Sequence, residues 1–345
     1  MVKKLISLIL ILILSLSSLC ACSQNTKQIA ESFDYFDTYS SLTAYCKKEE
    51  FEIYEKEFHT VLKQYHELFD IYNSYGDTIN LKTLNEQAAL GPVTVSDELF
   101  GALELAARLH SITQSKFNVA IGALTSIWHD ARTQSLKSPE DAYIPSQNEI
   151  NDAILHTDIK SLILDKDEHT VFFSDPKLSL DFGAIAKGYV ASLLYEKLIA
   201  LGCDSFLINL GGNIISFGKK PQNKPWLVKV ENPFDEKSLG YNTEIELEDQ
   251  TLVTSGSYQR FFTYNEKQYS HIIDISSGYP ADIFTSVTVQ APADSSALAD
   301  ALSTALFCME YEEGLSLVEK LENVEALWIF KDGSFKSTSG LGGGK

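Results

Sequence analysis

Between Ser270 and Thr304 the chain gathers the residue types that do polar chemistry: a His271-Ile272-Ile273-Asp274 step, a Ser277-Gly278-Tyr279-Pro280 turn, and then Asp300, Ser303 and Thr304. Glycine tolerates positive φ and proline pre-sets its own φ, so the tetrapeptide predicts a tight reversal. Val287 and Val289 then alternate with Thr288 and Gln290, which predicts a strand over Ser286 to Ala291. From Ser295 the apolar Leu298, Leu302, Ala305 and Leu306 recur at helical spacing. On that helix Asp300, Ser303 and Thr304 stand at i, i+3 and i+4, so a carboxylate and two hydroxyls share one face. Such oxygens suit a hard cation such as Mg²⁺, which takes oxygen ligands at about 2.0 to 2.1 Å in an octahedral shell. The residues alone leave a second reading open, in which Asp300 is a solvated charge and the hydroxyls bond back into the preceding turn.

The elements that must position these groups are legible in the periodicity. Phe33 to Lys47 reads as one or two strands, and Glu50 to Ile71 as an amphipathic helix with Phe51, Tyr54, Phe58, Val61, Leu62, Tyr65 and Leu68 on one face. A second helix is expected from about Ser96 to Ser111, and Ser146 with Glu149 forms a capping box. Leu162 to Leu164 and Thr170 to Phe173 flank a hairpin signal. Leu178 to Phe182 predicts a strand and Ala184 to Leu201 a helix ended by Gly202. Strands dominate afterwards, with Leu210-Gly211-Gly212-Asn213 as a turn, a strand over Tyr264 to Ser270 ahead of His271, a helix over Glu312 to Leu321 and a hairpin at Lys331-Asp332-Gly333. This order predicts an α+β fold of mixed, largely antiparallel sheets with packed helices.

The N-terminus sets Lys3 and Lys4 before an apolar run from Leu5 to Leu16, too short for a membrane span and right for a signal-peptide core. Leu19-Cys20-Ala21-Cys22 resembles a bacterial lipobox. The expectation is therefore a lipoprotein signal over residues 1–21, lipidation at Cys22, a polar tether over 22–32 and one domain over 33–345. Plain secretion after cleavage is the other reading. Cleavage before Cys22 leaves 26 basic against 47 acidic residues, a formal charge of −21. That balance excludes nucleic acid as a partner, and a phosphorylated ligand must rely on a local metal, a lysine or backbone amides. Cys46, Cys203 and Cys308 are scattered, odd in number and without zinc spacing, which reads as ordinary packing.

Four segments in order carry a resemblance: Phe69-Asp70-Ile71-Tyr72-Asn73, Leu180 to Tyr189, Thr254-Ser255-Gly256-Ser257-Tyr258, and His271 through Gly278-Tyr279-Pro280 to Ala299-Asp300-Ala301. Together they resemble the FAD:protein FMN transferase family, historically called the thiamine biosynthesis lipoprotein family, over about Phe33 to Asp332. The resemblance implies an exported enzyme, lipid-anchored on the outer face of the cytoplasmic membrane or the periplasmic side. Such an enzyme splits FAD, releases AMP and attaches FMN through a phosphoester to a threonine of a partner flavoprotein. It also implies Mg²⁺ held by Asp300, Thr304 and the backbone carbonyl of Ala184. FAD is implied to lie against Phe36, Tyr72, Lys116, Phe117, Asn118, Asp181, Lys187 and Ile273.

This chain departs from the family pattern in places. Phe36-Asp37-Thr38 stands where many members have Met-Gly-Thr, Ser115-Lys116-Phe117-Asn118 where Gly-x-Phe-Asp is usual, and Ile275-Ser276-Ser277-Gly278 where Pro-x-Thr-Gly is usual. Ser303 occupies the place of a second metal-binding aspartate in some relatives, which makes it a candidate ligand.

Each of these residues has a plainer role to set beside the functional one. Asp181 can cap the following helix, Phe36 and Tyr72 can be core aromatics, and Lys187 can pair with a surface acid. His271 can take the proton of the acceptor threonine or position the substrate. Asp274 can orient that imidazole, act in its place, or close an Asx turn. Two other functions fit the same motifs: an FAD pyrophosphatase giving free FMN and AMP, and a non-catalytic flavin-binding lipoprotein.

Overall fold

Chain order begins with a strand where a tether was expected. The structure, a computed structural model, describes residues 25–231, 233–234 and 244–341, so the expected signal segment and Cys22 lie outside the described residues. Thr26–Ser32 (β1) pairs along its length with Ser40–Cys46 (β2), and its Ala30 and Ser32 are buried. An edge strand needs an apolar lining on one face alone, which is why so polar a stretch is folded and not free.

Lys48–Phe69 (α1) buries the expected aromatic face, with Phe58 and Leu62 fully enclosed. Leu81–Gln87 (α2) is capped by Asn80, Val93–Thr94 (β3) follows, and Asp97–Ile112 (α3) is capped by Ser96. A 3-10 turn at Val119–Ile121 leads into Gly122–Lys137 (α4), and Gln147–Ile154 (α5) opens on the expected capping box. Leu162–Asp165 (β4) and Thr170–Phe173 (β5) form the expected hairpin, completed by β3. Residues 178–182 were expected to be a strand and are instead extended chain outside any ladder. The Asn85 side chain accepts from Leu180 N–H at 2.7 Å and donates to its carbonyl at 3.0 Å, standing in for a neighbouring strand. Ala186–Ala200 (α6) comes next.

Phe206–Leu210 (β6) and Asn213–Phe217 (β7) form a hairpin turned by Gly211 and Gly212, both at positive φ (59° and 92°), a conformation glycine adopts without steric cost. Trp226–Lys229 (β8), Glu244–Leu247 (β9) and Gln250–Gly256 (β10) follow. The strand expected over Tyr264 to Ser270 is the second half of a hairpin, Phe261–Tyr264 (β11) and Lys267–Ser270 (β12), because Asn265 and Glu266 take positive φ and reverse the chain. Ile273–Asp274 (β13) and Tyr279–Pro280 (β14) flank the glycine turn, and Phe284–Pro292 (β15) leads into Ser296–Phe307 (α7). Tyr311–Val318 (α8), Glu325–Phe330 (β16) and Phe335–Ser337 (β17) complete the described chain.

One eight-stranded sheet, ordered β1-β2-β6-β7-β10-β15-β16-β17 with every neighbouring pair antiparallel, organises the rest. Alternate residues of β10 serve opposite faces: Val253 enters the cluster around α7, and Leu252 joins Trp226, Val228 and Ile245 of the β8–β9 hairpin. Both faces being covered, the polar side chains of β15 are buried too. Thr288 meets Thr254 hydroxyl to hydroxyl at 2.8 Å, and Gln290 donates to Gln250 at 2.8 Å, so burial leaves neither unpaired. A separate cluster of Leu124, Trp128, Ile150, Phe262 and Ile273 fastens β11–β14 to α4 and α5. Trp128 donates to the Gly278 carbonyl at 2.8 Å, which fixes the turn beyond His271. The expected α+β class with antiparallel sheets is the observed one.

Candidate active site

Helices α6 and α7 meet at Gly188, where a Cβ would lie 2.5 Å from both Asp300 Cβ and the Ser296 carbonyl oxygen. Glycine there lets the helices close on Asp300, which is 4% exposed. Gly188 N–H donates to Asp300 Oδ2 at 2.8 Å. In an uninterrupted helix that N–H would close on the carbonyl four residues back, that of Ala184. Ala184 sits in the turn before α6, and among the described residues no backbone hydrogen bond reaches its carbonyl. Burial pushes the Asp300 carboxyl up, while the Lys187 charge, the Gly188 N–H and the neighbouring Asn213 amide favour its ionised form. Asn213 Nδ2 is itself buried without a full hydrogen bond.

Thr304, one turn along α7, is half-buried, and its Oγ1 lies 3.3 Å from Ser255 Oγ at the end of β10. Ser303 Oγ lies 2.7 Å from the same Ser255 hydroxyl and donates to the Asp300 carbonyl at 2.9 Å. Ser303 is thus engaged within the fold, back-bonded to its own helix, while its hydroxyl oxygen keeps lone pairs and stays a candidate ligand. Among the described residues no group of three His, Cys, Asp or Glu side chains could hold a metal. The donors that do converge, a desolvated carboxylate, a hydroxyl and an unclaimed carbonyl, fit a hard cation that completes its shell with water.

His271 follows β12. Its backbone N–H donates to the Arg260 carbonyl at 3.1 Å, and its Nδ1 lies 3.2 Å from the same oxygen. A carbonyl only accepts, so Nδ1 carries the ring proton and Nε2 keeps its lone pair. The residue is exposed, yet its ring is desolvated by the surrounding protein. That desolvation, with the charges of Arg260, Lys187 and Arg132, brings its pKa down to about 4 against the single opposing pull of the Arg260 carbonyl. The imidazole is therefore neutral at pH 7.

Asp274 does not orient this ring. Its Oδ1 lies 3.6 Å from Lys116 Nζ and accepts from Ser276 N–H at 3.1 Å, an Asx turn held by an ion pair; the orienting acceptor is the Arg260 carbonyl. Lys116 also donates to Ser276 at 3.0 Å. Phe117 is 1% exposed and Ile273 6%, both with rings or chains in apolar clusters, so neither side chain is presented to a ligand. Asn118 is likewise committed: Oδ1 accepts from Ala120 N–H and Nδ2 donates to the Thr157 carbonyl, both at 2.8 Å.

Tyr72 is 60% exposed, and partial desolvation, Asp181 and Asp37 raise its phenol pKa against the charge of Arg132. Asp181 accepts from Thr125 Oγ1 and Gly183 N–H, each at 2.8 Å, a local turn ahead of α6 and not its cap, since Ile185 is the N-cap and no side chain caps that helix, and it stays within electrostatic reach of Tyr72. Phe36, half-buried, packs edge-on against His66 at a centroid distance of 5.6 Å. Lys187 acts on both Asp300 and His271, which ties the oxygen cluster to the imidazole.

Sequence reasoning did not single out Ser255, Asn213, Arg260, Arg132 or Thr125. Ser255 lay inside a motif and Asn213 beside the two glycines. Gly211 approaches Thr38 so closely that a Cβ would be 2.2 Å from its Oγ1, a contact that joins this turn to the Phe36 loop. Arg132 carries no spacing signal, because it acts on His271 and Tyr72 from a helix whose periodicity reports packing alone.

Lys187, Arg132 and Arg260 act on the neutral imidazole of His271, and Lys187 acts on the buried Asp300 carboxylate as well, a set of groups of the kind enzymes use. The model of the ApbE family matches residues 36–328. The FAD:protein FMN transferase of Treponema pallidum is 32% identical over 281 residues, covering 77% of this chain and 74% of its own; that of Haemophilus influenzae is 30% identical over 348 residues, covering 98% and 96%. The ApbE protein of Thermotoga maritima superposes with a TM-score of 0.79 at 24% identity, covering 91% of this chain and 97% of its own. The flavinyl transferase ApbE of Pseudomonas stutzeri gives 0.75 at 25%, covering 91% and 95%. The chain belongs to the ApbE family, and it is an enzyme, a transferase.

Proposed function

We propose that the chain is an Mg²⁺-dependent FAD:protein FMN transferase, exported and anchored through Cys22, acting on a threonine of an exported or membrane-bound flavoprotein. The observation that carries the reading is His271, an imidazole with a free Nε2 amid Lys187, Arg132 and Arg260. A base and charges suited to a diphosphate thus act together in a protein of net charge −19. The threonine Oγ–H gives its proton to His271 Nε2 as the Oγ–P bond forms to the FMN phosphorus, and the P–O bond to the other phosphate breaks, releasing AMP. Lys187, in the first turn of α6, adds its charge to a helix N-terminus that favours anions. Phe36 and Tyr72 offer aromatic faces to the flavin. Asp300, Thr304 and the Ala184 carbonyl would hold the cation, which when bound neutralises charge that builds on the diphosphate.

The reading is tested by following AMP from FAD with Mg²⁺, with and without an acceptor flavoprotein. Release that depends on the acceptor supports transfer. Equal release with free FMN in both indicates a pyrophosphatase, and tight FAD binding without AMP indicates a carrier.

A further inference from the structure

Arg260 is engaged at both ends. Its carbonyl accepts from the backbone N–H and the ring Nδ1 of His271, and its guanidinium Nη2 donates to the Asp37 carbonyl at 3.0 Å. Asp37 and the preceding Phe36 both take left-handed backbone, with φ of 49° and 55°. Non-glycine residues held there cost about 1 to 3 kcal/mol each and persist where surrounding contacts over-determine them. The contacts here are Phe36 N–H donating to His66 Nδ1 at 3.3 Å and the Asp37 carbonyl accepting from Arg260. The chain therefore runs from a candidate flavin-facing ring, through a strained turn, to the residue that fixes the tautomer of His271.

We infer that Arg260 is a positioning residue that couples the Phe36–Asp37 turn to the proton-accepting face of His271. The use of that coupling rests on the transferase reading: a dinucleotide seated against Phe36 sets the turn, and through Arg260 the turn holds Nε2 toward the diphosphate. Charge works alongside geometry. Arg260 from the β11 side, Lys187 from α6 and Arg132 from α4 are the cations acting on the imidazole, and removing one weakens the field that keeps it neutral.

Arg260 is exposed, so Arg260→Gln and Arg260→Lys are expected to fold, which thermal melting checks. The experiment is a pH titration of protein labelled at histidine rings and at Phe and Asp amides, without FAD or metal, followed by transfer kinetics. In the unaltered protein the Phe36 and Asp37 amides should shift with the same midpoint as His271. In Arg260→Gln the His271 midpoint should rise, the two amides should no longer follow it, and KM for FAD should rise by about tenfold, the scale of one lost charge-assisted bond. Arg260→Lys should restore the midpoint and part of the KM. If Arg260→Gln leaves the His271 midpoint and both amides unchanged, the coupling is overturned even when activity falls. If the titrations behave as stated but no flavin is transferred by the unaltered protein, the coupling holds and the transferase reading fails.

Discussion

His271 and Asp300 have opposite electrostatic needs. The imidazole is held neutral by desolvation and by cations, with its pKa at about 4, below the ordinary 6.5. A group depressed on folding contributes stability that is fully present above its unfolded pKa and lost as pH falls through its folded one, here between about 6.5 and about 4. The same shift sets catalysis: the acid limb of kcat/KM due to His271 should fall near pH 4, well below an unperturbed histidine, in a rate-against-pH profile. His271→Ala should remove that limb and lower transfer by ~10² to 10⁴-fold while FAD still binds, as equilibrium titration would register. Asp300 is the converse, a carboxylate that burial disfavours. In chelator-treated protein Asp300→Asn should change the melting temperature little, since the burial cost of the charge and the pull of Lys187 are removed together while the amide oxygen can keep the bond from Gly188 N–H. Added Mg²⁺ should raise it in the unaltered protein alone, by ligand linkage. At this scale residue type and spacing single out Asp300, Thr304, Lys187 and His271, while packing encloses the side chains of Phe117 and Ile273 and commits those of Asn118 and Asp274 to contacts within the fold. Spacing reports which residues are near a site, and tertiary packing decides which atoms face it.

Elements position these groups through close approach more than through capping. Gly188 admits Asp300 between α6 and α7, and the obstacles to a Cβ there include a backbone carbonyl that has no flexible end to yield. Gly188→Ala should therefore destabilise the protein by about 1 to 3 kcal/mol, the range for overpacking, and should weaken Mg²⁺ binding by displacing Asp300; urea denaturation and metal titration read the two effects. The helices α1, α3, α5 and α7 were legible because amphipathic periodicity and caps are local. Residues 178–182 and β1 were misread for other reasons. Residues 178–182 are held by Asn85, 95 positions away, which no local window contains, while β1 pairs with the nearby β2 but is too polar to carry a strand pattern of its own.

Across the whole molecule, the α+β class and the antiparallel order followed from hairpin signals, while the strand order of the central sheet joins β2 to β6 and β7 to β10 across long intervals that periodicity does not address. Net charge places a further constraint: on the proposed reading a chain of −19 would attract a diphosphate through the local field of Lys187, Arg132 and Arg260 and not through its overall potential. Cys22→Ser should move the protein from the membrane to the soluble fraction with transfer activity intact, and retention in the membrane fraction would contradict the anchor. The most direct test of the central claim is intact-mass analysis of an acceptor flavoprotein after incubation with this protein, FAD and Mg²⁺, alongside the acceptor with its target threonine replaced by alanine. The account predicts a mass gain of one FMN on the threonine form alone, with one AMP released per modification; AMP and free FMN with no mass gain on either acceptor would contradict it.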